Sequence, residues 1–106
     1  MQRGEIWWAH FPRPVGKRPV VLLSRDKAIQ VRTHLTVVQI TRTIRSIPTE
    51  VLLGPEEGLP KKCVANLDVI QTIPKSILLD KVCLLSSEKM EEIESAACFA
   101  LGFKLI

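Results

Sequence analysis

Seven arginines occupy this chain of 106 residues: Arg3, Arg13, Arg18, Arg25, Arg32, Arg42 and Arg45. A guanidinium is a planar fork of donors that matches a phosphate, and it keeps its charge at any surface. Arg18 follows a loop rich in Pro and Gly (Pro12, Pro14, Gly16) and opens the apolar run Arg18-Pro19-Val20-Val21-Leu22-Leu23-Ser24. A strand there would hold the side chain at its end, able to clamp phosphate; the alternative is a surface ion pair. Thr41 closes a second run, Leu35 to Thr41, beside Arg42 and Thr43. Its hydroxyl can bond a non-bridging phosphate oxygen or position a nucleophile, or be an ordinary strand-forming threonine. Asp68 ends a third run. An aspartate titrates at about 4, so work as a base at neutral pH would need burial or a neighbouring charge. Otherwise it forms a turn or pairs with Arg18.

The charge is polarised. Residues 1–46 hold nine basic and two acidic side chains, a balance of +7; residues 47–106 hold six and nine, a balance of −3. A basic half that holds all seven arginines suggests an anionic polymer as partner, against the alternative of a solvated basic surface. Arg25, Arg42 and Arg45 are candidates for backbone phosphates. Cys63, Cys83 and Cys98 are odd in number and sit in apolar stretches without CxxC spacing, which predicts buried, reduced thiols. His10 and His34 lack metal-site spacing, so neither metal nor cofactor is expected.

The elements that must position these groups are short. Residues 4–11 (GEIWWAHF), 18–24, 35–41, 49–53 and 62–69 read as strands. Residues 26–32 can make one or two helical turns, and 77–85 is extended in part. Trp7 and Trp8 are adjacent, so a strand sends them to opposite sides. One is core; the other can stack a base at a groove or lie under a second subunit. The last element is a helix. Ser86 or Ser87 caps it, Glu88, Glu91 and Glu92 suit its first turns, and Gly102 stops it. Met90, Ile93, Ala97, Ala100 and Leu101 recur at helical spacing. Ten Val and ten Ile fit a small β-rich core. The expectation is one α+β domain over residues 1–106, with about five antiparallel strands, short helices and a C-terminal helix. No apolar run approaches the ~20 residues of a membrane span. The start, MQRGEIWW, carries no long apolar stretch of a secretory signal, so a cytoplasmic protein is expected.

A set of segments in fixed order carries a resemblance. Arg3-Gly4-Glu5-Ile6-Trp7-Trp8, Arg18-Pro19-Val20-Val21-Leu22-Leu23-Ser24, Val38-Gln39-Ile40-Thr41, Asn66-Leu67-Asp68-Val69-Ile70-Gln71-Thr72-Ile73 and Leu85-Ser86-Ser87-Glu88-Lys89-Met90 run through nearly the whole chain. RPVV alone is common; the ordered set is more specific. It resembles the MazF/PemK toxins, the ribonuclease halves of bacterial toxin–antitoxin pairs. The resemblance implies an SH3-like small barrel and a homodimer. It implies metal-independent, sequence-specific cleavage of single-stranded RNA, usually messenger RNA, by the RNA's own 2′-OH, leaving a 2′,3′-cyclic phosphate and a 5′-OH. The family's essential arginine falls on Arg18 and its catalytic Thr or Ser on Thr41. An acid assigned acid/base work in some members falls on Asp68. Trp8, Lys17, Arg25, Arg42, Thr43, Arg45, Asn66 and Gln71 complete the expected RNA-binding set. The implied antitoxin is MazE-like, with an acidic C-terminal segment that folds into the groove.

Three departures bear on substrate preference. The loop Pro12–Lys17 is several residues shorter than in typical relatives and holds no His. Gln71 stands where a basic residue is common, and Asn66 where some relatives have Arg. Two alternatives stay open. One is a gyrase-binding poison similar to the CcdB toxins that share the fold; the C-terminal run Leu101-Gly102-Phe103-Lys104-Leu105-Ile106 lacks the Trp characteristic of those. The other is a catalytically silent RNA-binding module.

Overall fold

A computed structural model describes residues 1–104. It contains six strands and two α-helices: β1 (Glu5–His10), β2 (Lys17–Leu22), α1 (Asp26–Val31), β3 (His34–Thr41), β4 (Glu50–Leu53), β5 (Cys63–Pro74), β6 (Leu78–Leu84) and α2 (Ser87–Leu101). All six strands join in one curled antiparallel sheet, in the order β4-β5-β3-β2-β1-β6. The expected α+β half-barrel is present, with one strand more than the five read from the sequence. Residues 78–84 pair with β1 along their length, with two breaks in register, and β5 runs on through 70–74 rather than ending at 69. Pro74 does end that strand, followed by a single 3₁₀ turn.

Alternation along the central strands builds two apolar layers. Val21, Val38 and Ile40 face one layer together with Ile6, Leu67, Ile93 and Ala96. Val20, Leu22 and Val37 face the other, with Ala9, Phe11, Ile29, Leu35 and Ile73. Strand β2 is therefore buried on both faces over residues 20–22, as its unbroken apolar run predicts. Helix α2 covers the first layer with Ile93 and Ala96. The Ser86 side chain accepts from the Lys89 amide at 3.1 Å, and Gly102 closes the helix at φ 73°, a left-handed conformation that favours glycine. From the same helix Lys89 Nζ donates to the Leu52 carbonyl at 2.8 Å, on the outermost strand β4.

Two local features matter later. Val38 faces Ile70, but Ile40 faces Ala65, so residues 66–69 of β5 stand opposite Gln39 alone. This bulge is pinned on its outer side. The Leu67 amide donates to Thr49 O at 2.7 Å, Thr49 Oγ1 donates to Asp68 Oδ2 at 2.8 Å, and the Asp68 amide donates to Asn66 Oδ1 at 2.9 Å. The second feature is Glu5, only 4% exposed. Its Oε1 accepts from the Gln2 amide (3.1 Å) and Trp7 Nε1 (2.9 Å), and its Oε2 pairs with Lys81 Nζ at 3.0 Å. Burial raises the carboxyl's pKa, but the bonds from Trp7, Lys81 and Gln2 outweigh it and leave the group below its ordinary value.

The cysteines are all free, but only Cys63 is buried; Cys83 and Cys98 are half-buried, a correction to the expectation for these two. Burial, with Glu57 nearby, pushes the thiols of Cys63 and Cys83 up.

Candidate active site

At one end of the sheet lies a cleft of about 440 Å³. Its borders come from three places: the start of β2 with Trp8 of β1, the end of β3, and the connection between β4 and β5. Arg18, Thr41, Arg42, Thr43, Lys17 and Trp8 all border it, so six of the eleven residues expected at the site share one cleft. Register explains the meeting of Arg18 and Thr41, which are 23 positions apart in sequence. Val20 lies opposite Gln39. Continuing the antiparallel ladder by two residues sets Arg18 against Thr41. Both are half-buried.

The same alternation places Arg18, Gln39 and Thr41 on one face of the sheet, and Trp8, Lys17 and Pro19 on the other. The cleft opens at the strand ends, where both faces can be reached. Lys17 Nζ sits 5.0 Å from the centroid of the Trp8 ring, a cation–π contact. Trp7, as expected of the inward partner, packs on the second apolar layer and donates to Glu5.

The other expected residues lie elsewhere. Arg25 precedes α1, beyond the far end of β2 from Arg18, and is exposed. Arg45 is exposed on the β3–β4 connection, where its amide donates to Glu50 Oε1 at 2.9 Å. Asn66 and Asp68 are on the β5 bulge, and Gln71 lies opposite Val37, its buried Nε2 without a partner among the described residues. Asp68 is exposed and hydrogen-bonded to Thr49, not paired with Arg18. It lies beside Gln39, one strand from it and two from Arg18, a separation of about 10 Å between strands β2 and β5.

One wall was not foreseen from sequence. Leu59, Pro60 and Lys61 of the β4–β5 connection close the cleft, with Cys63 at the start of β5. The adjoining lysines of Gly58-Leu59-Pro60-Lys61-Lys62 were the available signal. With Lys61 the cleft gathers Lys17, Arg18, Arg42 and Lys61, and none of the four is in an ion pair among the described residues. Unpaired cations beside a hydroxyl suit a phosphodiester: they can hold the polyanion and offset charge that builds at phosphorus.

Residues 2–101 match the family model of the PemK-like, MazF-like toxin of type II toxin–antitoxin systems. The chain belongs to this family. It is similar to two Mycobacterium tuberculosis proteins. One is probable endoribonuclease MazF5, 36% identical over 95 residues that make up 89% of this chain and 86% of the relative. The other is probable endoribonuclease MazF2, 37% identical over 93 residues, 87% and 89% of the two chains. Among solved structures, the M. tuberculosis toxin MazF-mt6 superposes with a TM-score of 0.88 at 29% identity, covering 95% of this chain and 99% of that one. An endoribonuclease in complex with its cognate antitoxin, from a mycobacterial species, gives 0.87 at 28% identity and covers 100% and 99%. The curled antiparallel sheet with its C-terminal helix is thus a MazF-type fold.

Proposed function

We propose that this MazF-type toxin endoribonuclease cuts single-stranded RNA at a short sequence, without a metal, by attack of the RNA's own 2′-hydroxyl. The new bond joins O2′ to the adjacent phosphorus, and the bond from phosphorus to O5′ breaks. The products are a 2′,3′-cyclic phosphate and a 5′-OH. One proton leaves O2′ and one is delivered to O5′.

The observation that supports this most is the shared cleft of Arg18 and Thr41, ringed by unpaired cations. In this reading the Arg18 guanidinium faces the non-bridging oxygens and offsets their growing charge. The Thr41 hydroxyl orients the same phosphate. Arg18 thus supplies the charge that a metal would otherwise bring. Asp68, held by Thr49 on the β5 bulge, stands outside the cleft, beyond the hydrogen-bond reach that a carrier of these protons needs. Lys17, Arg42 and Lys61 track the backbone, and the Trp8 ring stacks a base once Lys17 turns to phosphate. The 2′-OH requirement confines the reaction to RNA.

The partners follow from charge. An acidic antitoxin segment would fill the same cationic cleft and exclude RNA; the antitoxin in the mycobacterial complex supports such a partner. A homodimer would extend the cleft into a longer groove.

The test is cleavage of a long single-stranded RNA by the purified chain in excess chelator, with the ends mapped and their chemistry read by mass spectrometry. Cyclic phosphate ends at a recurrent sequence are expected. Wild-type rates for both Arg18→Ala and Thr41→Ala, or no cutting without added metal, would remove the proposal. Intact RNA with inhibited DNA supercoiling would mark the gyrase-binding alternative instead.

A further inference from the structure

Gln39 has no part in the reading above, yet its carboxamide is the one side-chain partner of Arg18 among the described hydrogen bonds. Arg18 Nη1 donates to Gln39 Oε1 at 3.4 Å. The two residues sit on neighbouring strands and on the same face, with Val20 directly opposite Gln39 and Arg18 two positions along. Gln39 is half-buried, and beyond it lie the buried pair Leu22 and Val37. Its amide is therefore seated on the core rather than free in solvent. On its other side stands the β5 bulge with Asn66 and Asp68.

The chemistry of the pair fixes the orientation of the amide. A guanidinium has donors only, so the Gln39 oxygen must face Arg18 and the NH₂ must point away from it. A carboxylate at this place would also accept the bond, but it would cancel the charge that the phosphate needs. A neutral acceptor aims the guanidinium and leaves that charge whole.

We propose that Gln39 is a positioning residue for Arg18: its side-chain oxygen holds the guanidinium in the orientation that meets the scissile phosphate. This rests on the reading of Arg18 given above. Gln39 acts through Arg18, so its loss is felt in turnover more than in RNA binding, which the other cleft cations carry.

The experiment measures kcat and KM on a short single-stranded RNA, with thermal melting as the check on folding. The variants are Gln39→Met, Gln39→Glu, Arg18→Lys and the double variant Arg18→Lys/Gln39→Met. Met keeps the length and removes the acceptor. It is expected to lower kcat about tenfold, the value of a weak hydrogen bond at a reacting centre, with KM changed less than twofold and melting unchanged. Glu keeps the acceptor and adds charge; it is expected to lower kcat further at neutral pH and to recover as the carboxylate is protonated in acid. In the Arg18→Lys background the Met change should add nothing, because the fork it aims is gone. Wild-type kcat in Gln39→Met, or full additivity in the double variant, overturns the inference while Arg18 keeps its role. Wild-type activity in Arg18→Lys would instead overturn the reading of Arg18 itself.

Discussion

Two charged places in this small molecule are built in opposite ways. At Glu5 a single carboxylate is buried and saturated, with bonds from Trp7, Gln2 and Lys81. At the cleft four cations lie together, and none meets a carboxylate among the described residues. The first arrangement spends its charge on the fold: the chain start, β1 and β6 are tied at one point. The second leaves its charge free for a ligand. Paired charge marks structure and unpaired, clustered charge marks function, although the two places meet on one strand, β1, which holds both Glu5 and Trp8.

The contrast can be broken from either side. Arg18→Ala should have the largest effect, a fall in RNA cleavage of roughly 100-fold or more with melting temperature unchanged, as for removal of one strong donor at a reacting centre. A lost fold together with lost activity would place Arg18 in the structural class.

Glu5→Gln should do the reverse. It should lower stability by roughly 1–3 kcal/mol in denaturant melts, because the Lys81 ammonium and Trp7 lose a charged acceptor. The folded protein should still cut RNA. The sign of the acid response follows from the lowered carboxyl. A folded-state pKa below the unfolded one gives stabilisation that is complete above the unfolded value of about 4.3 and is lost as pH falls through the folded value. Wild type should therefore lose stability below about pH 4.3, and Glu5→Gln should lose less over that interval. Parallel curves would deny Glu5 its role.

Lys61→Ala should have the smallest effect. RNA affinity should drop a few-fold, and the slope of log affinity against log salt should fall by about 0.7, the value for one phosphate contact on a single strand. An unchanged slope would take the β4–β5 wall out of the interface.

Much of this was legible in the residues, and what was not has a common cause. The strands containing Trp8, Arg18 and Thr41, the short helix and the capped C-terminal helix follow from local pattern, since each is encoded within a few neighbours. Ser86 and Gly102 mark their helix because caps are local devices. The sixth strand was read only in part. Leu78–Leu84 is an edge strand with half its residues exposed, so its alternation is weak. The unpaired Lys61, the contact of Gln39 with Arg18 and the place of Asp68 depend on register between strands far apart in the chain. The β5 bulge shifts that register by three residues, and no pattern within β5 announces it. Arg25 and Arg45 were grouped with the site by residue type alone, and topology sent them elsewhere.

The bond from Lys89 to the Leu52 carbonyl has a wider meaning. Strand β4 is the last rung of the sheet, and an open rung invites another polypeptide to extend it. A cation leaning from the helix onto that carbonyl occupies an acceptor that an incoming chain would need, and sets a charge in its way. The helix is thus a doorstop as well as a lid over the core, and self-templated stacking is discouraged on the margin where the β-rich layers would otherwise continue.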